Sequence, residues 1–103
     1  MAGPFIRLAI NVNMRARLRK QGFGIFKIQR AMMNLDNDLI EAATLQAEAQ
    51  KPGVLLAMEK LEAQEVLGVG DGRIIEIITD FFNSELGKMI LDFIEKLLLS
   101  LLL

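Results

Sequence analysis

Few residue types in this chain could do chemistry. Its 103 residues include no Cys and no His, which removes disulfides, thiolate and imidazole metal ligands, the Cys nucleophile and the His general base. Hydroxyl groups are scarce, and Thr44, Thr79, Ser84 and Ser100 are all of them. No Ser is placed with a base, so nucleophilic catalysis has no candidate and we expect a protein that is not an enzyme.

Two short segments superficially match ligand sites. Residues 68–72, Gly-Val-Gly-Asp-Gly, could cradle a phosphate before a helix, but the third glycine of the dinucleotide motif would fall at Arg73, and no Lys-Ser/Thr pair is present. We interpret them as a flexible turn. Asp36, Asp38 and Glu41 miss the spacing of a calcium loop and fit helix capping better. We therefore predict no cofactor, no metal and no small-molecule substrate.

Charge is strongly segregated along the chain. Residues 1–35 hold seven basic and no acidic residues, whereas residues 36–103 hold five basic and thirteen acidic ones, a net of -8. The basic segment could lie on the acidic helices of its own chain or of a neighbouring copy, or contact nucleic acid or phospholipid. The sequence contains no nucleic-acid-binding signature, so we rank nucleic acid below protein as the partner of the basic segment. The candidate anion contacts are Arg7, Arg15, Arg17 and Arg19.

The first segment alternates in polarity. Every even position from Ile6 to Leu18 is apolar, and the odd positions are mostly Arg or Asn. This period of two predicts an extended strand over residues 5–19, roughly 45–50 Å long at about 3.3 Å per residue. The chain offers no second strand of that length, so the strand edge would be open to another chain. The candidate contacts on this arm are Ile6, Leu8, Ile10 and Val12.

Apolar spacing becomes helical from Ile25 onward and predicts helices over residues 25–50, 53–67 and 73–103. Asp38 with Glu41 could break the first of these, and the pattern leaves that open. The last helix, if unbroken, would be about 46 Å long at ~1.5 Å per residue. A compact domain of this length has a diameter of roughly 34 Å, so this helix would outgrow its own domain.

The C-terminal seven residues, 97–103, include six leucines. One helix face cannot hide them all, so they either fold back onto their own helices or form a self-association element, which we favour. A membrane-surface helix is the alternative, but residues 73–103 carry a net charge of -2 and no Trp or Tyr. The candidate contacts here are Phe81, Phe82, Met89, Ile90, Phe93, Leu97, Leu98 and Leu101.

The sequence thus predicts a mostly α-helical α+β chain in an oligomeric assembly. An N-terminal extended arm with a glycine turn (residues 1–24) precedes a helical region (residues 25–103) with two middle helices and a long amphipathic C-terminal helix. We expect a structural or assembly protein that self-associates, such as a component of a virus or phage particle. A membrane-associated helical protein and a nucleic-acid accessory protein are the alternatives. No signal peptide is recognisable, so the cytoplasm or an assembled particle is the expected location.

Overall fold

Six α-helices build the part of the protein that the computed structural model describes, residues 1–68 and 70–102. The helices are α1 (Pro4–Lys20), α2 (Ile25–Met32), α3 (Asn37–Gln50), α4 (Val54–Val66), α5 (Asp71–Asn83) and α6 (Glu85–Leu102). These residues form no strand, so the fold is all-α and the predicted α+β class is wrong. Within the same ranges, no helix is long and apolar enough to cross a bilayer.

Helix α6 lies at the centre of the fold and packs against each of the other five helices. Its buried face includes Ile90, Leu91, Ile94 and Leu98. The most extensive contact is with α3, whose small buried residues Ala43 and Ala47 let the two helices approach closely. The protomer measures 37 × 30 × 21 Å with a radius of gyration of 13.3 Å, about the value of ~13 Å expected for a compact domain of this size.

The N-terminal segment is a helix, so the predicted strand over residues 5–19 is wrong. Its buried residues are Ile6, Ile10, Met14 and Leu18, which are four apart and therefore share one helical face. Leu8 and Val12 lie two positions out of step, on the opposite face, and each is 59% exposed. The apolar residues at even positions are thus two helical stripes, one buried and one exposed, which together imitate the period of a strand.

The start of α1 is stabilised by a residue far away in the sequence. Pro4 occupies the first turn, and Gly3 at the N-cap has no side chain to offer. The Glu65 carboxylate of α4 instead accepts hydrogen bonds from the Phe5 N–H at 2.5 Å and the Ile6 N–H at 3.3 Å. Gly3 leaves room for that carboxylate, since a Cβ there would lie 2.6 Å from Glu65 Cδ. A long-range contact therefore caps this helix.

Two of the predicted helices are divided. The predicted helix over residues 25–50 ends at Met32 and restarts at Asn37, where the Asp36 carboxylate caps α3 by accepting the Leu39 N–H at 2.9 Å. The predicted helix over 53–67 corresponds to α4. The predicted single helix over 73–103 is wrong, because the backbone is extended at Ser84 between α5 and α6. Gly87 then packs directly on the Phe81 backbone, which turns α6 back across the core.

Candidate self-association surface

The twelve apolar residues predicted to mediate self-association differ widely in exposure. Five are buried in the protomer's own core, namely Ile6, Ile10, Phe82, Ile90 and Leu98. Four are half-buried, namely Phe81, Met89, Phe93 and Leu97. Leu8, Val12 and Leu101 are more than half exposed and stay available to a partner. The role of all twelve in self-association stays a prediction, and the exposed ones indicate where to look.

Leu8 and Val12 border an open groove between α1 and α5. Its volume is about 320 Å³. Its walls are Phe5, Leu8, Ala9, Val12 and Asn13 from α1 and Ile75, Ile78, Thr79, Phe82 and Asn83 from α5. Leu8 and Val12 on one wall and Ile75 on the other are each more than half exposed. We call this feature the α1–α5 groove; it is mainly apolar and open to solvent.

The two helices that form the groove carry exposed charges of opposite sign outside its walls. On α1, Arg15 and Arg19 continue the exposed stripe of Leu8 and Val12 at helical spacings of three and four residues. On α5, Glu76 and Asp80 are exposed beside the wall that carries Ile75. None of these four charged side chains lines the groove itself, and Arg15 and Arg19 line a separate pocket beside α2. The groove is therefore uncharged, with charges of opposite sign further out on the two helices that form it.

Of the four arginines predicted to contact anions, Arg17 forms ion pairs with carboxylates of its own protomer. Its guanidinium donates to Asp92 Oδ1 at 2.6 Å and Glu95 Oε1 at 3.1 Å, tying α1 to α6. Partial burial lowers the pKa of Arg17, but its hydrogen bonds to these two carboxylates outweigh that effect and raise the pKa above its ordinary value. The expectation that basic residues lie on the chain's own acidic helices thus holds for this side chain.

Arg7, Arg15 and Arg19 are exposed, and in the described ranges none forms an ion pair with a carboxylate. Arg15 Nε donates to Asn11 Oδ1 at 2.8 Å along its own helix. These three guanidinium groups therefore remain accessible to an anionic partner.

The leucine-rich tail lies mostly against the protomer itself. Leu98 is buried, and Leu97, Leu99 and Leu102 are half-buried and packed against the core. Leu101 is 56% exposed, and Leu103 lies outside the described residues. The tail therefore contributes mainly to the interior, and the α1–α5 groove is the larger exposed apolar feature.

The acidic and hydroxyl side chains of the described ranges are the main groups that the sequence leaves for chemistry. No group of three or more acidic side chains there is arranged to hold a metal ion. The hydroxyls of Thr44, Ser84 and Ser100 each donate to a backbone carbonyl of their own or the preceding helical turn.

Comparisons with known proteins find no match. This holds for protein-family models, curated proteins and solved structures alike. The α1–α5 groove and the opposite charges on its two helices are therefore the features that point to a function. The sequence reasoning found Leu8 and Val12 but missed Ile75, because the apolar pattern of α5 does not distinguish its exposed edge from its buried face. A sequence signal for this exposed face is present: Leu8 and Val12 share one helical stripe with Arg15 and Arg19, which indicates that the stripe faces solvent.

Proposed function

We propose that this protein is a structural subunit that self-associates, and that two copies pair through their α1–α5 grooves. The observation that carries this proposal is the exposure of Leu8, Val12 and Ile75 around one apolar groove. Burying an aliphatic side chain of this size stabilises by about 1.5–3 kcal/mol when it is fully exposed beforehand, so covering three half-exposed ones favours association by a few kcal/mol.

A second copy suits this groove because the two helices that form it carry charges of opposite sign outside the apolar walls. In a two-fold arrangement, α1 of each protomer faces α5 of the other, which brings Arg15 and Arg19 towards Glu76 and Asp80 of the partner. An anionic membrane or nucleic acid would be attracted to the first pair and repelled by the second. The groove therefore supports a homotypic protein contact over an anionic surface.

The test is absolute mass in solution at two concentrations, with and without detergent. The variant Leu8→Asn with Val12→Asn removes the apolar wall, and Leu56→Asn is the control because Leu56 is similarly exposed on α4, away from the groove. We expect the double variant to weaken dimerisation by roughly tenfold or more, as about 1.4 kcal/mol per factor of ten implies, and the control to leave it unchanged. A native protein that stays monomeric at millimolar concentration would contradict the proposal.

Two other measurements separate the alternatives raised by the sequence. Binding of the native protein to anionic vesicles with no change in its mass would favour a membrane-surface role. Binding to single-stranded DNA that weakens steeply with salt would favour a nucleic-acid accessory role. Membership of a virus-like particle stays a prediction from the sequence.

A further inference from the structure

Helix α2 exposes apolar side chains that have no partner within the protomer. Phe26 is 86% exposed and Met33, immediately after the helix, is 82% exposed. With Arg30 they form one outward line at spacings of four and three residues, whereas Ile28 and Met32 on the opposite side are buried. Isolated exposed apolar residues are ordinary, but an aromatic and a long aliphatic side chain about 10 Å apart on one helical face form a patch.

The charge around this patch is entirely positive in the local sequence. Lys27 and Arg30 are exposed, and the chain has no acidic residue before Asp36. Neither cation forms an ion pair in the part of the chain that the structure describes. We call Phe26, Lys27, Arg30 and Met33 the α2 knob. Its partner must be acidic and partly apolar.

A surface of that kind lies elsewhere on the same protein, between α3 and α4. This α3–α4 cleft has a volume of about 370 Å³. Its apolar lining includes Ile40, Leu45, Leu55 and Met58, and its acidic rim consists of Asp38, Glu41, Glu59 and Glu62. Met1 and Ala2 of the N-terminal segment also line the cleft. Glu62 is paired with the Met1 amino group at 2.5 Å, whereas Asp38, Glu41 and Glu59 are exposed and make no ion pair in the described residues.

An unpartnered hydrogen-bond acceptor lies in the wall of the cleft. The Oδ1 atom of Asn37, a lining residue, is buried and has no donor within the described structure. A buried acceptor without a partner is unfavourable, so a donor that reached this atom as the cleft wall adjusts would stabilise the contact. Lys and Arg side chains supply N–H donors together with the positive charge that the acidic rim favours.

We propose that the α2 knob of one copy docks into the α3–α4 cleft of the next copy. Phe26 and Met33 would cover the apolar lining, and Lys27 and Arg30 would face the unpaired rim carboxylates. Within the protomer, the Met1 amino group pairs with Glu62 at one side of the cleft. Helix α2 of the same protomer does not reach the cleft, because it packs on α1 and α6 and not on α3 or α4.

This contact differs in symmetry from the two-fold pairing proposed for the α1–α5 groove. The knob and the cleft are different surfaces, so each docked copy still presents one free knob or one free cleft. Such a head-to-tail contact closes into a ring or continues as a filament. The inference therefore goes beyond a dimer and stands independently of the groove.

Charge exchange between the two surfaces tests the proposal. The knob variant carries Lys27→Glu with Arg30→Glu, and the cleft variant carries Glu41→Lys with Glu59→Lys. A control with the same change in charge as the knob variant, Arg7→Glu with Lys88→Glu, alters exposed cations outside the knob. All these side chains are exposed, and circular dichroism melting verifies that each variant is folded.

Sedimentation velocity at low salt measures the assemblies. We expect each variant alone to weaken head-to-tail association by about tenfold or more, and the control to leave it largely unchanged. An equimolar mixture of the knob and cleft variants should assemble again, since each then offers the charge that the other has lost. The groove variant Leu8→Asn with Val12→Asn should still assemble head to tail, which separates this contact from the two-fold one.

Three results would overturn the proposal. One is a knob variant that assembles like the native protein. Another is a mixture of the two charge variants that stays as dissociated as either alone. The third is a native protein that forms no head-to-tail assembly. Binding of that protein to anionic vesicles or single-stranded DNA through Lys27 and Arg30 would then assign the knob to lipid or nucleic acid.

Discussion

Replacing Gly87 with Ala is expected to destabilise this protein, although the same change inside an ordinary helix is stabilising. Gly87 is buried in the first turns of α6, against the end of α5. An added Cβ would lie 2.7 Å from both Phe81 C and Phe82 Cα and would also collide with the Phe81 carbonyl oxygen. Carbon atoms normally pack at about 3.5–4.0 Å, so the two helices would have to separate by roughly 1 Å.

The size of the effect follows from two opposing contributions. Overpacking a tight contact costs about 1–3 kcal/mol, and here the obstacle is backbone, which cannot rotate away. Replacing Gly by Ala in a helix contributes about 0.5–1 kcal/mol in the other direction. We therefore expect the free energy of unfolding to fall by about 1–2 kcal/mol. For a domain of this length, each kcal/mol lowers Tm by roughly 4–8 °C.

Urea unfolding followed by circular dichroism measures this change. Gly72→Ala is the matched control, because Gly72 lies in the first turn of α5 and a Cβ there meets no atom within 4 Å. The control should raise the free energy of unfolding by about 0.4–1 kcal/mol. If Gly87→Ala were as stable as the native protein, with an unchanged m-value, the explanation of the corner between α5 and α6 would be refuted.

Three further substitutions test how the helices are held. Glu65→Gln should lower the free energy of unfolding by about 1 kcal/mol, because a neutral amide caps α1 less well than a carboxylate, whereas Glu59→Gln on the same helix should change it little in urea unfolding. Asp36→Ala should cost about 1 kcal/mol and accelerate hydrogen exchange in the first turn of α3, and unchanged exchange would exclude this cap. Arg17→Ala should cost about 0.5–1 kcal/mol in thermal melts, a modest value because solvent screens its partly exposed ion pairs, and equal melting of Arg17→Ala and Arg15→Ala would contradict that role.

The N-terminal helix shows what the sequence could and could not predict. Its alternating pattern fits a strand and also fits two helical stripes with a spacing of four residues, because four is twice the strand period of two and close to the helical period of 3.6. Pro4 at the first turn was a local signal for a helix. The cap that secures this start comes from Glu65, about sixty residues away, and no local pattern reveals it.

The C-terminal half shows the same limit. Apolar spacing is continuous from Ile74 to Leu98, so it predicts one helix, but Ser84 and Gly87 let the chain turn back where α6 can reach the core. By contrast, the division between α2 and α3 has a local cause, the cap that Asp36 provides for α3. The sequence therefore indicated that the helix over residues 25–50 could break near this point, although it did not decide the matter.

The exposure of the predicted contact residues could not be read from the sequence for a related reason. An apolar stripe shows that something covers it, without showing whether that cover is the protein's own core or another copy. Leu8 and Val12 proved to be exposed, whereas Ile6 and Ile10 on the same helix face inward. Only the packing of α1 against the other helices separates these two pairs.

The central position of α6 has a consequence for how the chain reaches its native state. This helix comes last of the six along the chain, yet every other helix rests on it. The first five helices also pack on one another, but the face that each turns towards α6 stays uncovered until that helix is made. The complete core should consequently close late and cooperatively, when α6 docks.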